Sequence, residues 1–200
     1  MSQTNHFLNT FITFFEGWLQ RLENYLREIN QQHDQEETSC NALVTRILSH
    51  YREYYEMKSE LANMDVFLII SPTWLNTLQL SLLWIGGTSR LSEDKKEEME
   101  EFREHIKGEE RRLMSALAAI HDSVAMPSED GYFVAAQLKS PMEALYQEAN
   151  DLREMTVCYV LEKLESAHQK LRFFASAIEL HLRVRAVGNQ RDAERQASRA

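Results

Sequence analysis

The side chains that could support catalysis or bind a metal are few, and their spacing does not complete a familiar site. A di-iron centre in a helical bundle needs two Glu-x-x-His motifs and further glutamates. This sequence has one such motif, Glu165-Ser-Ala-His168, at a position where a helix is expected to begin. It has no glycine-rich phosphate loop, no Gly-x-Ser-x-Gly elbow and no His-Glu-x-x-His zinc helix. We therefore expect no enzyme activity, no catalytic residue and no metal site.

One histidine lies beside the apolar stripe of a predicted helix. His181 stands between Leu180 and Leu182, and an axial haem ligand needs an imidazole that faces a pocket. The alternative is a core or rim histidine with a backbone hydrogen-bond partner. His50, which precedes Tyr51, has the same two interpretations. No cofactor is expected on balance, and haem with His181 as its ligand is kept as the alternative.

The composition predicts long helices. The 200 residues include 6 glycines and 3 prolines, too few for the chain reversals of a sandwich, a barrel or a doubly wound sheet. A hydrophobic fraction of 44% is enough for a core at this length. The net charge of -9 disfavours direct binding to nucleic acid, which depends on clustered lysines and arginines. We expect an all-α bundle of about five to six helices.

Two cysteines, Cys40 and Cys158, cannot form a disulfide framework or a closed thiolate zinc site. The first residues do not follow the charged, apolar, small-residue order of a signal peptide. A reducing intracellular compartment follows. Residues 66–89 carry no charge, but Ser71-Pro72 and five polar residues interrupt this stretch. We therefore expect core segments here and no membrane span.

Apolar residues at steps of three and four predict the individual helices. The first runs from about residue 5 to 31, and a second long helix follows a polar loop at 30–39. A short buried helix over 72–85 ends at Gly86-Gly87, and a long one begins after Ser92 and reaches about residue 125.

Two more helices complete the expected bundle. Residues 127–131 are expected to form a loop, and Ser140-Pro141 is predicted to cap the next helix. The last helix starts at Ser166 and closes near Gly188. The chain is thus predicted to form a single domain over residues 5–188. Residues 189–200, which hold no apolar side chain larger than alanine, are expected to be a disordered polar tail.

Aromatic residues are concentrated on the first helix and around residues 74–84. They could form a packed core, line a cavity for a fatty acid or another apolar ligand, or offer an apolar face to another protein. A partner surface is the stronger functional hypothesis, because the first helix carries rings off its main stripe. The candidate ligand-binding or partner-binding residues are Phe11, Phe14, Phe15, Trp18, Trp74 and Trp84.

Several motifs, taken in order, resemble a known plant family. They are Phe15-Glu-Gly-Trp-Leu19, His50-Tyr-Arg-Glu-Tyr-Tyr-Glu-Met-Lys58, Ser71-Pro-Thr-Trp74 leading to Leu83-Trp-Ile-Gly-Gly87, and Glu179-Leu-His-Leu-Arg183. This set is similar to the plant delay-of-germination domain, which is also the C-terminal domain of the TGACG-binding (TGA) basic leucine zipper factors. The likeness extends over about residues 10–188.

The resemblance implies a plant regulator of seed dormancy, development or transcription that acts through protein partners in the nucleus or the cytoplasm. Together with the missing catalytic motifs, it predicts a non-catalytic adaptor. The expected partner is a second copy of this chain or a related regulatory protein. The zipper-containing relatives read DNA through a basic region and heptads, which we do not find here, so direct sequence-specific DNA binding is the weaker alternative. Relatives can also carry a second histidine four residues after the one that matches His181. Arg185 stands at that position, so a haem could have one histidine ligand only.

Overall fold

Apolar side chains at three- and four-residue intervals form the inward faces of long helices, as the sequence pattern predicts. The computed structural model describes residues 2–31, 36–66, 92–124 and 131–198. Within these ranges the fold is all-α and contains no strand. The helices are α1 (Ser2–Asn30), α2 (Glu37–Met64), α3 (Glu93–Val124), α4 (Gly131–Lys163) and α5 (Ala167–Ala197). The predicted short helix over 72–85 lies outside the described residues.

Helices α1, α2 and α5 pack against one another and enclose the main core. Helix α1 is antiparallel to α2, because Trp18 contacts His50 while Glu28 pairs with Arg46. Helices α2 and α5 run parallel. Cys40 contacts His168 near the beginning of both helices, and Tyr51 contacts His181 further along both. The fully buried side chains of this core include Trp18, Leu22, Ile47 and Ile178.

Helices α3 and α4 form an antiparallel pair beside this three-helix core. Leu113, Leu145 and Ala149 are buried between the two helices. Near the start of α3, Met99 joins the main core together with Val160 of α4. At the end of the bundle where α2 and α5 begin, the α3–α4 pair thus contributes to the main core.

The prediction that Ser140-Pro141 starts a helix is wrong. Helix α4 begins at Gly131 and contains Pro141 within it. A proline in a helix lacks one backbone N–H donor and usually bends or ends the helix. Here the preceding residues 135–139 are mostly good helix formers, and Pro141 is exposed, so that the carbonyl it leaves unbonded can meet water.

The predicted helix end near Gly188 is also wrong. Helix α5 continues to Ala197, through most of the segment that was expected to be a disordered tail. Its side chains there are largely exposed, so burial does not hold them. Arginine, glutamine, alanine and glutamate have high helix propensity, and Gln190 donates to Glu194 one turn later. Helix propensity and this hydrogen bond thus offset the destabilising effect of Gly188 on the helix. The predicted start of this helix is confirmed, because Ser166 and Gln169 form a capping box.

Candidate functional site

The indole of Trp18 is the centre of an aromatic cluster between α1, α2 and α5. It is fully buried. Tyr54 and His50 stack on it, with ring centroids at 4.5 and 5.2 Å, and the edges of Tyr51 and His181 meet it at 5.5 and 5.7 Å. Such stacked and edge-on pairs are the arrangements that aromatic quadrupoles favour. Trp18 is therefore densely packed against three rings of α2 and one of α5.

Hydrogen bonds fix His50 in this cluster. Trp18 Nε1 donates to the His50 carbonyl oxygen at 2.9 Å, and His50 Nε2 lies 3.0 Å from the Trp18 carbonyl oxygen, to which it donates. Nδ1 is then the acceptor of the ring, and Arg21 Nε donates to it at 3.4 Å. Burial lowers the pKa of His50, and the charge of Arg21 acts in the same direction. The imidazole is thus held neutral as a structural group.

His181 has the backbone partner that the structural interpretation requires. Its Nδ1 lies 2.9 Å from the Ala177 carbonyl oxygen, and Tyr51 Oη lies 3.4 Å from the same nitrogen. Burial lowers its pKa. Because the rings of Trp18 and Tyr51 contact the imidazole, a porphyrin bound there would have to displace one of them. Haem ligation by His181 stays a prediction.

The three candidate phenylalanines of α1 are partly buried. Phe15 contacts both Trp18 and Tyr54, Phe11 stacks on Phe15, and the guanidinium of Arg21 lies over Phe14. These contacts place much of their area against the bundle. Their role in binding a ligand or partner stays a prediction. Trp74 and Trp84 lie outside the described residues.

A buried lysine lies next to the aromatic cluster. Lys58 is 3% exposed, and its Nζ lies 5.5 and 5.9 Å from the ring centres of Tyr54 and Tyr146. Burial, followed by the charge of Arg153, lowers its pKa to about 7. Lys58 follows Tyr51 and Tyr54 at helical spacing. This pattern does not predict that its amine is buried, because an i, i+3, i+4 spacing does not show which neighbours surround a position.

His168 contacts two side chains of α2. Its Nε2 lies 3.6 Å from Cys40 Sγ, and its Nδ1 lies 3.4 Å from Glu37 Oε2. Glu165 instead pairs with Lys95 of α3. The Glu-x-x-His motif is therefore split between two contacts. No local pattern predicts the pairing of Cys40 and His168, because these residues lie 128 positions apart.

The described part of the chain contains no helix with the length and hydropathy to cross a membrane. Most of the uncharged stretch over 66–89 lies outside that part. In residues 2–31, 36–66, 92–124 and 131–198, no three His, Cys, Asp or Glu side chains are grouped as a metal cage.

Comparison with known proteins supports the resemblance to a family. Residues 19–89, about a third of the chain, match the family profile described as DOG1, seed dormancy control. This segment includes all of α2 and the last three turns of α1. The chain is thus similar to the DOG1 family over these residues, and the resemblance that the ordered motifs predicted is confirmed. Lys58 and His50 lie within the matched segment.

Relatives extend the DOG1 likeness beyond the matched segment. Protein ZW2 of Arabidopsis thaliana is 29% identical over an alignment 219 residues long, gaps included. This alignment covers 90% of this chain and 96% of ZW2. Transcription factor LG2 of Oryza sativa subsp. japonica is 25% identical, over 76% of this chain and 33% of LG2. Transcription factor TGA7 of Arabidopsis thaliana is 37% identical, over 40% of this chain and 23% of TGA7. The family description and these names indicate a plant regulatory role, and none of the three names is that of an enzyme.

Proposed function

We propose that this protein is a non-catalytic plant adaptor that works in the nucleus by binding other proteins. Its signalling context would be transcription or seed dormancy. The family description and the relatives named as transcription factors support the regulatory context. The aromatic cluster supports the absence of catalysis, because Trp18 and His50 use their polar atoms for contacts between helices.

One observation carries the binding proposal: large apolar side chains are exposed on α1 and on α5 near the contact of Glu16 with Arg185. Val184 and Val187, on successive turns of α5, are 51% and 50% exposed. Ile12 of α1 is 47% exposed and lies one turn before Glu16, whose carboxylate contacts Arg185. Exposed aliphatic side chains grouped in this way are typical of a protein contact surface. We name Ile12, Val184 and Val187 the α1–α5 surface.

The charges around the α1–α5 surface indicate the chemistry of the partner. Arg183 and Arg185 flank Val184, and Arg191 lies one turn beyond Val187. These guanidinium groups are largely exposed. A complementary partner would present an apolar ridge bordered by carboxylates, because opposite charges around an apolar centre speed association and exclude wrong partners. A helix with leucines at steps of three and four, flanked by glutamates, has this form.

The experiment compares two charge-introducing variants in pull-downs from seed extract, with quantitative mass spectrometry. The double variant Val184→Glu, Val187→Glu changes the α1–α5 surface. Met114→Glu is the matched control, because Met114 is 54% exposed on α3, away from that surface. We expect a protein retained by the wild type and by Met114→Glu to lose at least tenfold in recovery with the double variant. An identical set of retained proteins for all three forms would contradict the proposal.

Far-UV circular dichroism and thermal unfolding of each variant complete the design. All three changed residues are exposed, so stability should change little. A double variant that keeps the wild-type unfolding temperature and loses the partner assigns the loss to the surface itself.

A further inference from the structure

Cys40, His168 and Glu37 meet where α2 and α5 begin, in a linear arrangement of thiol, imidazole and carboxylate. Cys40 Sγ lies 3.6 Å from His168 Nε2, and His168 Nδ1 lies 3.4 Å from Glu37 Oε2. The other carboxylate oxygen of Glu37 accepts the backbone N–H of Ala167 at 2.6 Å. Both ring nitrogens of the histidine are therefore directed to defined atoms.

The distance between sulfur and nitrogen agrees with shared coordination of one ion. Zinc bonds are about 2.3 Å to cysteine sulfur and about 2.0–2.1 Å to histidine nitrogen. At a tetrahedral angle, two such donors on one ion lie about 3.5–3.6 Å apart. The distance of 3.6 Å between Cys40 Sγ and His168 Nε2 has this value. The same pair can also share a hydrogen bond, so the ion and the proton compete for one position.

Glu37 supplies the orientation that a metal-binding histidine needs. Such a histidine nearly always donates its second N–H to a carboxylate or a carbonyl, which fixes the tautomer and makes the ligating nitrogen more basic. With its proton on Nδ1 toward Glu37, His168 keeps its Nε2 lone pair on the side of Cys40. The bond from Ala167 holds the carboxylate in place.

We propose that Cys40 Sγ and His168 Nε2 are the two protein donors of a site for a thiophilic divalent cation, with Zn²⁺ as the favoured ion. Binding replaces the thiol proton: the S–H bond breaks, the sulfur–metal bond forms, and the proton passes to solvent.

Access to this site is from the side of α5. Cys40 is fully buried, whereas the side chains of His168 and Glu37 are 40% and 54% exposed. An ion that enters along these two side chains keeps its remaining coordination positions open to water. Two protein donors define an open site, in contrast to the closed four-ligand sites that hold structural zinc.

Cobalt is the probe for this site, because a Co²⁺–thiolate bond has a near-ultraviolet charge-transfer band that histidine and carboxylate ligation lack. We would titrate the full reduced chain with Co²⁺ and then add Zn²⁺. The wild type should develop the band with one equivalent of Co²⁺, and Zn²⁺ should remove it. Cys40→Ser and His168→Gln should reduce the band at least tenfold at one equivalent.

Cys158→Ser is the matched control, because Cys158 is the exposed cysteine and should be dispensable for the band. Circular dichroism establishes that each variant is folded. His168→Gln changes a partly exposed residue, so it keeps the test valid if Cys40→Ser unfolds. A wild type without the band would overturn the proposal. A band that survives in His168→Gln, or that depends on Cys158, would overturn it too.

Discussion

Trp18 and His50 exchange hydrogen bonds in both directions across the contact of α1 with α2. Each side chain donates to the backbone carbonyl oxygen of the other residue, at 2.9 and 3.0 Å, and their rings stack at 5.2 Å. Two donors and two acceptors are thus satisfied inside the core. A shift of either helix by one residue would break both bonds, so this pair fixes the register of the two helices.

Trp18→Phe should destabilise the protein by about 1–3 kcal/mol, because it removes the donor to the His50 carbonyl and part of the buried ring. Urea unfolding followed by circular dichroism measures this change. Met114→Leu, at an exposed position, is the control and should stay within about 0.5 kcal/mol of the wild type. A Trp18→Phe variant as stable as this control would show that the pair does not hold the two helices.

His50 should make the protein less stable in mild acid. Its pKa in the folded protein is below the ordinary value of 6.5, so the unfolded chain takes up a proton first as the pH falls. Stability is then complete above pH 6.5 and decreases as the pH falls toward the folded-state pKa.

Unfolding free energies of the wild type and His50→Gln between pH 8 and 5 measure this contribution. Glutamine can still donate to the Trp18 carbonyl but does not titrate. His181 is present in both proteins, so the difference isolates His50. The stability advantage of the wild type should shrink as the pH falls, and two parallel profiles would contradict the assignment.

Lys58→Met should change how the free energy of unfolding depends on pH above pH 7. The pKa of Lys58 is about 7 in the folded protein and 10.5 ordinarily. Between these values the unfolded chain holds a proton that the folded chain has lost, so this residue makes stability rise with pH. Below pH 7 both the folded and the unfolded chain hold this proton, and the full cost of burying the ammonium group remains.

The measurement is the unfolding free energy of the wild type and Lys58→Met from pH 7 to 9. The wild type should gain on the variant by up to about 1.4 kcal/mol per pH unit. Nearby tyrosines, including Tyr54, are present in both proteins and cancel in the difference. A difference that stays constant over this range would show that Lys58 is charged in the folded protein.

Haem binding through His181 has a direct spectroscopic test. If the imidazole is an axial ligand, added haemin should give the wild type a Soret band that is shifted and sharpened, and His181→Ala should lose it. His121→Ala changes an exposed histidine and serves as the control. Identical spectra of the wild type and His181→Ala would leave His181 with its structural role only.

Local patterns predicted most of the helical fold, because the intervals between apolar residues depend only on helix geometry. The start at Ser166 was predictable for the same reason, since a capping box involves residues within one turn. Pro141 and Gly188 misled the prediction because their intrinsic costs were smaller than the helix propensity around them. A residue type sets a local preference, and its neighbours decide the outcome.

The contacts of the candidate sites were not predictable in the same way. Trp18 and His50 are 32 residues apart, and Cys40 and His168 are 128 apart. Such pairs depend on which helices become neighbours and on their rotation about their axes. The apolar stripe identifies the buried face of a helix, but it does not specify the partner residue on another helix.

The parallel course of α2 and α5 has an electrostatic consequence. The aligned peptide dipoles of both helices direct their positive ends to the same corner of the bundle, where two partial charges of one sign repel each other. Glu37 belongs to the first turn of α2 and accepts a backbone N–H from the first residue of α5. A single carboxylate therefore acts as the counterion of two helix macrodipoles and favours the side-by-side start of these helices.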